Sequence, residues 1–251
     1  MSSQPSPDPV DRARILVIGD AGVGKSSLIH MLCHEEPLRV PSHTVGFHID
    51  VKIYTPSWAN SRPIFLEFLE VPSNSKHPQT LQLLQHQQVH AVILVHDCCN
   101  SRSYKNLWRW IERISKWVGV RDVMGGQESD LRLSVPILVV GTKSDLAVRL
   151  QELQGRLRRC TVAKKFGGDA ITLCAISPGH FTPSAGVTYE NIVKFFDTVV
   201  EHRFGGSGMR NGVGRIEPAG MNRGKGGSIH GFYAHSDSVG ALSSSSRRYP
   251  L

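Results

Sequence analysis

The chain has 251 residues, 40% of them hydrophobic and 20% charged, with a formal net charge of +8. These proportions exclude a wholly disordered chain, and the length allows one or two domains. No apolar run approaches the roughly 20 residues of a membrane span, and Met1–Pro9, rich in Ser and Pro, lacks the apolar segment of a signal peptide. Five cysteines, at 33, 98, 99, 160 and 174, show no Cys-x-x-Cys spacing. They read as reduced thiols, which implies a cytoplasmic or nuclear setting.

In chain order, residues 1–10 are expected to form a flexible N-terminus. Arg14–Ile18 is a short β-branched run and predicts a strand, followed by a helix from Gly24 to about His34. Phe47–Tyr54 and Ile64–Val71 predict two strands joined through a turn containing Pro56 and Pro63. Ala91–Val95 and Val135–Val140 are nearly continuous apolar runs, as expected of strands buried on both faces. Helices fit Ser103–Val118 and Ala147–Phe166, and Ala170–Ala175 reads as a last strand. A final helix places Ile192, Phe195, Phe196, Val199 and Val200 on one face. Strands alternating with helices predict a parallel α/β sheet with one antiparallel edge. The folded unit is then residues 11–203. From Phe204 to Leu251 there are 11 Gly and 8 Ser, and basic residues exceed acidic ones by four, half the total excess charge. That composition predicts a flexible basic tail over 204–251.

The strongest motif is Gly19-Asp20-Ala21-Gly22-Val23-Gly24-Lys25-Ser26, which satisfies G-x-x-x-x-G-K-[ST] at every fixed position. It lies between a predicted strand and a predicted helix, as its mechanism requires. Glycines let successive N–H groups turn inward onto phosphate oxygens, and the helix N-terminus adds positive potential. Lys25 is placed to reach the β- and γ-phosphates and Ser26 to offer a hydroxyl to Mg²⁺, with Ser27 next in the helix. The plain alternative is a glycine-rich strand–helix turn without a ligand.

That loop does not select a base. Thr142-Lys143-Ser144-Asp145 follows the strand ending near Gly141, and there the sequence resembles the [NT]-K-x-D motif of the Ras-like small GTPases. The resemblance implies a Ras-like G domain with a six-stranded, mostly parallel sheet. It implies that the Asp145 carboxylate accepts hydrogen bonds from guanine and that the Lys143 stem packs along the ring. Adenine offers no matching donor pair, so a buried carboxylate would be left unpaired. The other reading makes Asp145 a cap for the next helix. Thr44-Val45-Gly46-Phe47 resembles the family's switch I, which would bring Thr44 to Mg²⁺ and the γ-phosphate. Cys174-Ala175-Ile176 stands where the family has S-A-K, so the Ala175 N–H would meet guanine O6 without the lysine.

Glu70-Val71-Pro72-Ser73-Asn74 stands where the family has D-x-x-G-Q. Glu70 is one methylene longer than Asp, Ser73 replaces Gly, and Asn74 is a shorter amide than Gln. Glu70 and Asn74 are the candidate catalytic residues, and the changes imply that GTP hydrolysis is slow or absent. Within the superfamily, the stretch Gly19–Cys33, the block Ala91–Asp97 and the Asn191–Arg203 helix are similar to the Rab-like 3 group and its plant light-insensitive-period relatives. No cysteine follows Cys174, so no C-terminal prenyl anchor is expected. The resemblance implies GTP or GDP with Mg²⁺ as ligands, protein effectors or regulators as partners, and a role in signalling or trafficking; it leaves a homodimer open.

Three further readings remain beside this one. A G-domain scaffold that works through protein contacts alone is favoured by the altered Glu70–Asn74 loop. An ATP-using P-loop kinase leaves Asp145 unexplained. The basic tail could touch RNA or anionic membrane, although a solvated tail is the simpler expectation and nucleic acid is disfavoured as a partner. His30 and His34 lie four residues apart on a helix, without an evident third metal ligand. Cys98-Cys99 is expected to be inert, and Trp108, Trp110 and Trp117 include one tryptophan more than a core needs.

Overall fold

The computed structural model describes residues 11–40, 46–58, 61–73, 87–123, 130–147 and 161–205. Its elements are β1 (Arg12–Gly19), α1 (Lys25–His34), β2 (His48–Tyr54), β3 (Ile64–Glu70), β4 (Ala91–Asp97) and α2 (Ser101–Val118). There follow β5 (Val120–Val123), β6 (Asp130–Leu133), β7 (Ile137–Thr142), α3 (Thr161–Phe166), β8 (Asp169–Thr172) and α4 (Val187–Phe204). Two short 3-10 turns, Pro178–Phe181 and Pro183–Ala185, precede α4. Six strands form one sheet in the order β2-β3-β1-β4-β7-β8. β2 runs antiparallel to β3, and every other neighbour pair is parallel. This is the Ras-like G-domain architecture expected from the sequence. Among the described residues, no helix is long and apolar enough to cross a membrane.

The period-two geometry of the strands explains why their apolar runs are continuous. On β1, Ile15 and Val17 join Ile93, Val95, Leu138 and Val140 on one face, under α1 and α4. Leu16 and Ile18 join Val92, Leu94, Ile137 and Val139 on the other, under α2 and α3. Both layers are buried, so each strand needs apolar side chains at odd and even positions alike. The predicted stripe on α4 is the buried one: Ile192, Phe195, Phe196, Val199 and Val200 all lie in the first layer.

Several boundaries move. The helix read as beginning at Ser103 starts at Ser101, because the Asn100 side chain caps it by accepting from the Arg102 N–H at 3.1 Å. Of the stretch read as a helix over Ala147–Phe166, residues 161–166 are helical, 148–160 lie outside the described residues, and Ala147 itself is not helical. β8 ends at Thr172 rather than Ala175, because the chain turns after Leu173 and Ser177 N–H closes onto the Cys174 carbonyl at 3.2 Å. A small antiparallel hairpin, β5–β6, was not read from the sequence at all. The N-terminal ten residues and 206–251 lie outside the described residues. So do Thr44 and Asn74, and nothing is described of the Trp117 side chain.

Candidate functional site

The parallel strands β1, β3, β4 and β7 all end at the same edge of the sheet, where doubly wound α/β folds collect their ligands. Gly19 to Gly24 leave β1 there and enter α1. A Cβ on Gly19 would stand 2.1 Å from the Val95 carbonyl oxygen, so only glycine passes β4 at this point. Gly22 and Gly24 take positive φ, 69° and 91°, which costs glycine little. Ala21 and Gly22 are exposed, Val23 is buried, and Ser26 and Ser27 are half-buried in the first turn of α1.

Lys25 is only 5% exposed. Its ammonium donates to the Gly19 carbonyl at 3.1 Å, the Asp20 carbonyl at 2.9 Å and the Ser73 hydroxyl at 2.7 Å. Burial lowers its pKa, against the opposing pull of the Glu70 and Asp20 charges. Ser73 in turn donates to the Gly19 carbonyl at 3.1 Å. The residue that replaces glycine therefore ties its loop to the phosphate loop through its new hydroxyl. Glu70, 2% exposed at the end of β3, accepts from the Ser26 hydroxyl at 3.0 Å. The extra methylene thus carries the carboxylate to the hydroxyl expected to hold Mg²⁺.

Asp20 has a separate role. Its Oδ2 accepts from Asn106 Nδ2 at 2.6 Å and its Oδ1 from Trp110 Nε1 at 3.0 Å. Both donors come from α2, 86 and 90 residues along the chain. The carboxylate therefore anchors the loop, and any phosphate contact from Asp20 falls to its backbone. Trp110 is 5% exposed and fully used. Trp108 packs against Phe166, with the Lys165 ammonium 5.6 Å from its ring centre.

The residues expected to read the base come together at the ends of β7 and β8. Thr142, wholly buried, hydrogen-bonds to the Val23 carbonyl and lies 3.1 Å from the His96 carbonyl. One hydroxyl thereby couples the base loop to the phosphate loop. Lys143 holds φ at 58°, uncommon without glycine, and its ammonium pairs with Asp97 Oδ2 at 2.8 Å. Asp145 is exposed and accepts from the Cys174 thiol, which helps raise that thiol's pKa after burial, the larger cause. The Cys174 N–H donates to His180 Nδ1 at 2.8 Å, and Ser144 N–H to the Leu173 carbonyl at 3.3 Å. Ala175 is buried and Ile176 exposed, both in the turn that follows. Ser73, Asp97, Asn106, Trp110 and His180 were not read as site residues. Asp97 and Ser73 lay inside quoted motifs; the contacts of Asn106 and Trp110 span the fold and leave no local pattern, and His180 meets the Cys174 N–H only because the chain turns back after β8.

The residues present fit a magnesium-bound nucleotide. The glycine positions, the central ammonium of Lys25, the Ser26–Glu70 oxygen pair and the Asp145 carboxylate supply the donor types that phosphate, cation and guanine need. Comparison with known proteins agrees. The Ras family model matches residues 14–202. Rab-like protein 3 of Mus musculus is 32% identical over 209 residues, 78% of this chain and 87% of that protein. Rab-like protein 3 of Homo sapiens is 31% identical over 206 residues, 78% and 87% of the two chains. Small GTPase-like protein LIP2 of Arabidopsis thaliana is 32% identical over 152 residues, 54% of this chain and 43% of that protein. The likeness to the Rab-like 3 group and its plant relatives, read from motifs alone, is thus found along most of the chain.

Proposed function

The chain belongs to the Ras family, and from that premise we propose that it binds GTP and GDP with Mg²⁺ as a switch that hydrolyses GTP slowly. The observation that carries the reading is Thr142, whose hydroxyl joins the phosphate loop to the base loop. A base held at Asp145 and phosphates held at Gly19–Ser26 then report on one another through a single buried side chain. Lys25 would neutralise phosphate oxygens, and Ser26 with Glu70 would hold the cation. Thr44 would complete the cation site, and Ala175 and Ile176 would line the base. Protein effectors or regulators are the partners such a switch requires, and a homodimer stands among the arrangements open to it. Cytoplasm, with the nucleus as a second location, is the compartment its thiols suit.

Slow hydrolysis follows from what Glu70 and Ser73 already do. Glu70 is committed to Ser26, and Ser73 to Lys25 and the Gly19 carbonyl. Neither is placed to orient an attacking water, and Asn74 offers a shorter amide than glutamine for that task. The same contacts favour a second reading, a G domain that holds nucleotide without hydrolysing it and works as a scaffold.

Single-turnover hydrolysis of bound GTP separates the two. Turnover at or below about 10⁻⁴ per second, the unaided scale for Ras, fits a switch that needs a regulator. No turnover, with or without added cell extract, fits the scaffold. Turnover a hundredfold above that scale would contradict both.

A further inference from the structure

The C-terminal half of α1 carries His30 and His34, one turn apart, with ring centres separated by 4.5 Å. Asp50, on β2, faces them: His34 Nε2 lies 2.9 Å from Asp50 Oδ2. One ligand atom from each of the three residues falls within 4.8 Å of the others. The third ligand that the local sequence lacked is supplied by the neighbouring strand, sixteen residues beyond His34.

We propose that His30, His34 and Asp50 form a binding site for a borderline-soft divalent cation of the zinc class. Two imidazoles and a carboxylate are the donor set that Zn²⁺, Co²⁺ and Cu²⁺ take, and Mg²⁺ and Ca²⁺ do not. Donors about 2.0–2.2 Å from zinc lie roughly 3.3 Å apart. The three side chains need only small rotations to reach that spacing. His30 and Asp50 are half-buried and His34 is exposed, so a fourth position stays open to water.

The surrounding charges suit a dication. Glu36 Oε1 lies 3.9 Å from His30 Nε2, which adds a negative charge beside the cluster. Lys52, the next residue on that face of β2, is turned away to Glu35 at 3.2 Å. Cys33 lies between the two histidines in sequence, but it is not one of the three converging donors. A bound ion would clip the end of α1 to β2. The site is separate from the phosphate loop at the start of the same helix and does not depend on nucleotide binding.

The test uses the full chain, free of any histidine tag, in excess Mg²⁺, titrated with Zn²⁺ or Co²⁺. The expected result is one equivalent bound, a rise in unfolding temperature, and a visible Co²⁺ absorption without a thiolate charge-transfer band. His30→Asn, His34→Asn and Asp50→Asn each weaken binding about tenfold or more, while Cys33→Ser leaves it unchanged. None of the three is fully buried, and three independent variants guard against misfolding of one. No binding, binding untouched by Asp50→Asn, or binding lost in Cys33→Ser would overturn the site.

Discussion

At residue scale, the site turns on hydroxyls that each hold two segments. Thr142→Val keeps the shape and removes the hydroxyl that bonds to the Val23 carbonyl and lies beside that of His96. Leaving buried carbonyls unpaired costs about 1–3 kcal/mol, so the Kd for GDP should rise about tenfold, measured by titration with a fluorescent analogue. Ser73→Gly acts in the opposite direction. It removes a hydroxyl that occupies Lys25 and ties down the Gly19 carbonyl, and GTP affinity should increase several-fold relative to GDP in the same assay. The residues of the phosphate loop and of Thr142–Asp145 were legible because their chemistry lies in consecutive positions. The roles within them were not. That Asp20 is an anchor and Glu70 a partner of Ser26 depends on groups 44 to 90 residues distant.

At the scale of elements, strands were easier to read than what lies between them. A strand buried on both faces announces itself by composition, as β4 and β7 do. β5 and β6, Val-Arg-Asp-Val and Asp-Leu-Arg-Leu, are four residues each and half charged, too short for any period to register. β2 shows the limit of pattern reading in another way. Its Ile49, Val51 and Ile53 face outward, 53%, 43% and 68% exposed, while Asp50 and Lys52 turn toward α1. The charged face is used by α1, so alternation alone would have chosen the wrong side. Helix α2 contributes more than packing, because Asn106 and Trp110 fix the phosphate loop through Asp20. Asp20→Ala strands the Trp110 N–H in the interior. It should cost about 1–3 kcal/mol of stability and loosen nucleotide, read as a lower denaturation midpoint and a faster GDP off-rate.

At the scale of the whole molecule, the two ends of the sheet do different work. The carboxyl ends of the strands gather the site, and the amino end carries a half-buried polar cluster. There the Arg14 N–H donates to His90 Nδ1 at 2.8 Å, and Arg14 pairs with Glu67 at 2.7 Å. Burial, with the charges of Arg203, Arg14 and His202, lowers the His90 pKa to about 4. The unfolded chain therefore takes up a proton near pH 6.5 that the folded chain refuses until about 4. Between those values the unfolded state binds more protons, so stability rises with pH and is lost as pH falls. Burial lowers the pKa of His96 as well, adding to the same slope. Unfolding temperature should fall steadily from pH 6.5 to 4.5, and His90→Asn, which keeps an acceptor for the Arg14 N–H, should flatten the decline.

The proposed switch requires that the joined phosphate and base loops hold a guanine nucleotide. The most direct measurement is a titration of the nucleotide-stripped protein with GTP, GDP and ATP, with and without Mg²⁺. The predicted result is Mg²⁺-dependent binding of GTP and GDP at least about a hundredfold tighter than ATP, since guanine offers the Asp145 carboxylate a donor pair that adenine lacks. Equal affinity for ATP, or no nucleotide binding by the folded protein, would contradict it.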